Sequence, residues 1–206
     1  DFSNENTHLF VFFLNHSYIG QFSGIPYQFF IERLLKIKCK HFYVCNDSCN
    51  SGSMINLIKI CEEFKEIFPH EDDLEVESVL FNFLAGLDKV EIENMQNEVD
   101  KKLKAFNFGK IKKESIRIVK LKLEKIDEIT IKKVYQLVNN LDDRFSKEKC
   151  VPHHFLKFAE KAIIFTSSSY DQSSISLPGR EFNISILELP RTRVFGNIFS
   201  SIFIES

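Results

Sequence analysis

Two residues of this 206-residue chain place reactive side chains at matching points of a repeated pattern. Cys49 stands in the turn Asp47-Ser48-Cys49-Asn50-Ser51-Gly52-Ser53, just after the apolar run Phe42-Tyr43-Val44-Cys45. His16 stands 33 residues upstream, where the apolar run Leu9–Leu14 stops at Asn15-His16 and a Ser/Gly-containing loop begins. A thiol attacks as its thiolate, and an imidazole within reach helps to form that thiolate and returns a proton to the leaving group. Such a pair cleaves an acyl bond through a thioester and needs no metal or organic cofactor. A single cysteine of this kind is ordinarily an inert core thiol. The match with His16 at a second strand end is what points to catalysis.

The flanking elements must bring the two residues together. Both apolar runs have the length and unbroken character of strands buried in a parallel sheet. Between them a helix is predicted from Pro26 to about Lys38, with Phe30, Leu34 and Ile37 on one face. Strand, helix and strand make a βαβ unit, whose parallel pairing puts both strand ends on one edge of the sheet. Open α/β folds place their ligands at that edge. After the turn, Met54, Leu57, Ile58, Cys61, Phe64 and Phe68 recur at helical spacing. Ser51 or Ser53 is placed to cap this helix, and its N-terminus favours a thiolate at Cys49.

The turn Asp47-Ser-Cys-Asn-Ser-Gly-Ser-Met resembles the nucleophile turn of the caspase-like (clan CD) cysteine peptidases, most closely that of the legumain, or asparaginyl endopeptidase, family. The strand ending in His16 is similar to the family's histidine strand. Ala162-Ile-Ile-Phe-Thr-Ser-Ser-Ser-Tyr-Asp-Gln-Ser-Ser looks like the strand and Ser-Ser loop that line its substrate pocket. The resemblance covers roughly residues 8–68 and 158–206. It implies Cys49 and His16 as the catalytic pair, the backbone N–H groups of Cys49 and Ser17 as oxyanion donors, and Ser168, Ser173 and Ser174 as substrate-binding residues. Cleavage of a peptide or protein after Asn is also what it implies. The family usually has glycine where Ser17 stands, and serine fits there unless the turn requires a positive φ. Two other readings follow from the same resemblance: a catalytically weak or inactive homologue acting as a protein-interaction module, and acyl transfer of the kind carried out by the glycosylphosphatidylinositol-anchor transamidase.

Composition frames the rest. A net charge of −2 gives no electrostatic case for nucleic acid, and no apolar run approaches the 18 or so residues of a membrane span. Five cysteines without paired spacing fit reduced thiols. The stretch 71–149 holds 33 charged residues among 79, against 23 in the remaining 127. That density with apolar spacing predicts solvated helices over Leu74–Leu87, Ile92–Phe106 and Ile126–Phe145, while Ile116–Leu123 fits a strand equally well. The expected class is therefore α/β: a caspase-like, open, mostly parallel sheet flanked by helices. Residues 1–70 and 151–206 form its core, and 71–150 are a charged, mainly helical insertion that covers a sheet face or docks a protein partner. The family's further N-terminal strands have no counterpart here, so the chain reads as a fragment with an open sheet edge. Cys150, His153 and His154 lack a second ligand cluster, and no metal is expected. A short helix Phe155–Lys161 should lead into strand Ala162–Thr166, and Phe195–Phe203 reads as a closing helix.

Overall fold

The structure is a computed structural model that describes residues 6–69, 73–94, 99, 103, 111–141, 149–169, 176–177 and 192–193. The chain divides into two compact units, Asp1–Asn56 with Phe158–Ser206, and Leu57–Lys157. The second unit thus takes in residues on both sides of the expected 71–150 insertion.

The first unit is built on a three-stranded parallel sheet in the order β1 (His8–Phe13), β5 (His41–Asn46), β6 (Ala162–Thr166). Between β1 and β5 the chain makes a small antiparallel ribbon, β2 (Ser17–Tyr18), β3 (Gln21–Phe22) and β4 (Ile25–Pro26), and then helix α1 (Tyr27–Leu34). The helix starts directly after Pro26, whose fixed φ suits that position. It ends earlier than its apolar spacing predicts: Lys36 and Ile37 N–H bond to the Arg33 and Leu34 carbonyls, a 3₁₀-type tightening that closes the last turn.

Strand alternation gives the sheet two unlike faces. On one, Phe42 and Val44 are fully buried, Phe42 meets Phe158 at 5.5 Å, and Phe13 meets Phe30 edge-on at 5.2 Å. On the other, Phe10 stacks on Tyr43 at 4.8 Å, and Phe10, Phe12 and Ile163 remain about 40% exposed. The apolar runs predict strands buried on both faces; the structure buries one face fully only at the central strand and at Phe13, and leaves the other more exposed.

The second unit is helical. Helix α2 (Ser53–Ile67) enters it from the first unit; α3 (Leu74–Ala85), α4 (Lys89–Glu93), α5 (Lys113–Glu124) and α6 (Glu128–Asn140) follow, and α7 (Pro152–Ala159) leads back toward β6. Asp73, Asp88 and Asp127 each cap a helix by accepting backbone N–H bonds, as acidic N-caps do. Ile116–Leu123 is helical. Ser115, Val119 and Leu123 are its buried positions, an i, i+4, i+8 stripe that fits a helix face and not a strand face. The Glu75 carboxylate holds its first turn, accepting from Ser115 Oγ at 2.6 Å and Lys112 N–H at 3.0 Å. The helix expected over Ile92–Phe106 falls largely outside the described residues, as do the end of the one expected over Ile126–Phe145 and all of Phe195–Phe203. No described helix is long and apolar enough to cross a membrane.

Candidate functional site

Register places the two candidate catalytic residues. Strands β1 and β5 are parallel neighbours whose paired ends are Phe13 and Asn46. His16 and Cys49 each lie three residues beyond those ends, so both sit on the same edge of the sheet. The pairing runs past the strands, with Asp47 N–H bonded to the Phe13 carbonyl at 2.8 Å. On the far side, Ser167 N–H bonds to the Asn46 carbonyl at 3.2 Å.

The cysteine turn owes its shape to Asn50, which sits in the left-handed region with φ 55. Asparagine tolerates that conformation better than most residues do. Ser53 N–H returns to the Asn50 carbonyl at 2.9 Å, and α2 starts at once. The expectation that Ser51 or Ser53 caps α2 is not met, because both hydroxyls are engaged elsewhere. Ser51 and Ser168 form a reciprocal clasp: Ser168 N–H donates to Ser51 Oγ at 3.0 Å, and Ser51 N–H donates to Ser168 Oγ at 3.1 Å. Ser168 Oγ also donates to the Ser48 carbonyl at 3.0 Å, and Gly52 N–H donates to the Ser168 carbonyl at 3.0 Å. Ser168 therefore braces the turn on both sides of Cys49. Ser173 and Ser174 lie outside the described residues.

The histidine loop is held by a buried hydroxyl. Tyr27 is fully buried, and its OH lies 3.2 Å from Ser17 Oγ, 3.3 Å from Asn46 Nδ2 and 3.4 Å from Ser53 Oγ. The donors order themselves without conflict. Ser17 Oγ gives its proton to the Gln21 carbonyl at 2.8 Å, so Tyr27 donates to Ser17 and accepts from Asn46 and Ser53. Ser53 Oγ accepts Gly20 N–H at 3.3 Å, and Asn46 Oδ1 accepts from Ser48 Oγ. One network thus joins the residue after His16 to the residue before Cys49. Neither Tyr27 nor Asn46 stands out in the sequence as a site residue. The available signals are a polar residue closing an apolar strand and a tyrosine in the first turn of a helix.

Ser17 raises no backbone strain, since the left-handed residues near this edge are Gly20, Ser23, Gly24 and Asn50. Ser23 N–H donates to the His16 carbonyl at 2.9 Å, which makes Ser17 and Phe22 a non-hydrogen-bonded pair of the ribbon. The Ser17 N–H therefore points off the ribbon's outer side and is not consumed by β3. The His16 side chain is exposed, and among the described residues nothing hydrogen-bonds its imidazole. What fixes it is the backbone on either side.

Of the five cysteines, Cys49 alone is not buried. Burial, reinforced by the nearby Asp47 charge, pushes the Cys45 thiol up to about 11, and burial also raises Cys39. Burial, contact with the Cys150 thiol and the Glu77 charge together push Cys61 well above its ordinary range. Those three stay protonated and unreactive near neutral pH.

Cys150 and His153 serve as structural pins. Cys150 N–H donates to Asn82 Oδ1 at 3.0 Å, its carbonyl accepts from Asn82 Nδ2 at 2.8 Å, and His153 N–H donates to Glu77 Oε2 at 2.9 Å. Among the described residues no group of three or more His, Cys, Asp or Glu is arranged to hold a metal. A cleft of about 340 Å³ in the second unit is lined by Phe68, Ile118, Leu121, Lys122 and Lys125 and includes none of the candidate site residues. No family model, curated protein or solved structure matches the chain.

Proposed function

We propose that the chain is a cysteine-type endopeptidase, similar in its chemistry to the legumain family. The observation that supports the reading is the register of β1 and β5, in which His16 and Cys49 each follow a paired, parallel strand end by three residues. In this reading Cys49 Sγ attacks the scissile carbonyl, and the N–H groups of Cys49 and Ser17 hold the oxyanion. His16 protonates the departing amine as the C–N bond breaks, leaving a thioester on Cys49. Water, deprotonated by His16, then hydrolyses the thioester and restores the thiol. No cofactor takes part.

The test is hydrolysis of fluorogenic peptides carrying Asn, Asp or Ala before the scissile bond. Wild-type turnover that is lost in Cys49→Ala and His16→Ala is the expected result. Turnover unaffected by Cys49→Ala would refute the assignment. That no side chain among the described residues orients the His16 imidazole favours one second reading, a weakly active or inactive homologue that binds a protein partner. That reading predicts a folded wild type with no turnover on any of the peptides.

A further inference from the structure

We infer that Tyr27 is a positioning residue for the Cys49–His16 pair, an inference that rests on the peptidase reading above. With no partner on the His16 imidazole among the described residues, the direction of the ring follows from the backbone of the loop that carries it. Ser17, the next residue, is 3% exposed, and its Oγ is held by the Tyr27 OH at 3.2 Å. The same OH accepts from Asn46, at the end of the cysteine strand, and from Ser53, at the start of the helix after the cysteine turn. A single phenol oxygen in the core therefore fixes the spacing of two loops that belong to different strands. It touches neither reactive group and would not touch substrate. Its role is to hold the imidazole within proton-transfer reach of the thiol, where a displacement of about 1 Å can cost on the order of 10²-fold in rate.

Tyr27→Phe keeps the ring in the core and removes the hub. The experiment follows alkylation of Cys49 by iodoacetamide as a function of pH, mapped by mass spectrometry. It uses the full chain as wild type, His16→Ala, Tyr27→Phe and the double variant, with a thermal melt of each. Tyr27→Phe should slow Cys49 labelling near neutral pH by ~10-fold or more and move the pH profile toward that of His16→Ala. In the His16→Ala background it should make no further difference. Ser17→Ala, which removes the acceptor of the Tyr27 hydroxyl together with the Ser17 bond to the Gln21 carbonyl, should give a smaller shift of the same kind, and it provides the test if Tyr27→Phe fails to fold.

A Tyr27→Phe profile identical to wild type would overturn the inference while leaving the Cys49–His16 pair intact. Equal slowing in both backgrounds would also overturn it, since that is the mark of a purely structural role. If His16→Ala itself left labelling unchanged, the pair would fall, and the positioning role with it.

Discussion

In the first unit, two sets of neutral side chains tie loops together at the sheet edge: Tyr27, Ser17, Asn46 and Ser53 form one network, and Ser51 with Ser168 a second. In the second unit, beside the neutral Asn82 bonds to Cys150, carboxylates make many of the ties. Glu77 is fully buried, accepts from His153 N–H, and lies 3.6 Å from Lys65 Nζ. Glu75 anchors α5, and Asp73, Asp88 and Asp127 cap helices. Neutral hydroxyls and amides fix distances without adding a charge of their own. Carboxylates bind more strongly but tie stability to pH.

The largest effect should come from Glu77. One of its oxygens already lacks a hydrogen bond, so the pin is imperfect, yet Glu77→Ala removes the Lys65 ion pair and the acceptor of the His153 N–H. Because the Lys65 side chain is 29% exposed and can reach water, the expected loss is about 3 kcal/mol, at the low end for a broken buried pair. It should be read from denaturant midpoints.

Next comes Tyr27→Phe, which leaves three buried polar groups short of a partner and should cost about 2 kcal/mol. Ser168→Ala removes one arm of the clasp but keeps its backbone bonds, so about 1 kcal/mol is expected. In hydrogen exchange that loss should be confined to the cysteine turn and β6.

The smallest and most diagnostic effect is on pH dependence. Hydrogen bonds from Ser115 and the Lys112 backbone hold the Glu75 carboxyl below its usual range; Arg117 does so for Glu114, and Thr130 for Asp127. A folded pKa depressed below the unfolded value stabilises the fold above the unfolded value, and that stability is lost as pH falls through the folded one. Acidification below about pH 4.5 should therefore loosen residues 57–157 before residues 41–53. Equal loosening of both segments in pH-resolved hydrogen exchange would erase the contrast between the units.

The βαβ core was legible because apolar strands bounded by polar turns leave few alternatives. His8–Phe13, His41–Asn46 and Ala162–Thr166 lie within one or two residues of the expected strands. The pairing of His16 with Cys49 on one edge followed from that alone. Ile116–Leu123 was ambiguous because its apolar residues satisfy both periods over a short window; the Glu75 contact from a distant helix decides it. The Tyr27 hub was invisible for a related reason. Its partners come from three separate elements, β2, β5 and α2, and nothing local marks a tyrosine in a first helical turn as the acceptor for a strand end and another helix. Ser168 sat among several serines of one composition, and only the fold selects the one that meets Ser51.

The central claim is that Cys49 is a thiol activated by His16. A peptidyl fluoromethylketone with Asn next to the warhead, offered to wild type and His16→Ala and mapped by mass spectrometry, tests it most directly. The account predicts an adduct on Cys49 alone, because the other four thiols are buried, formed at a rate that drops by ~10²-fold or more without His16. Slow adducts on several cysteines, at rates indifferent to His16, would contradict it.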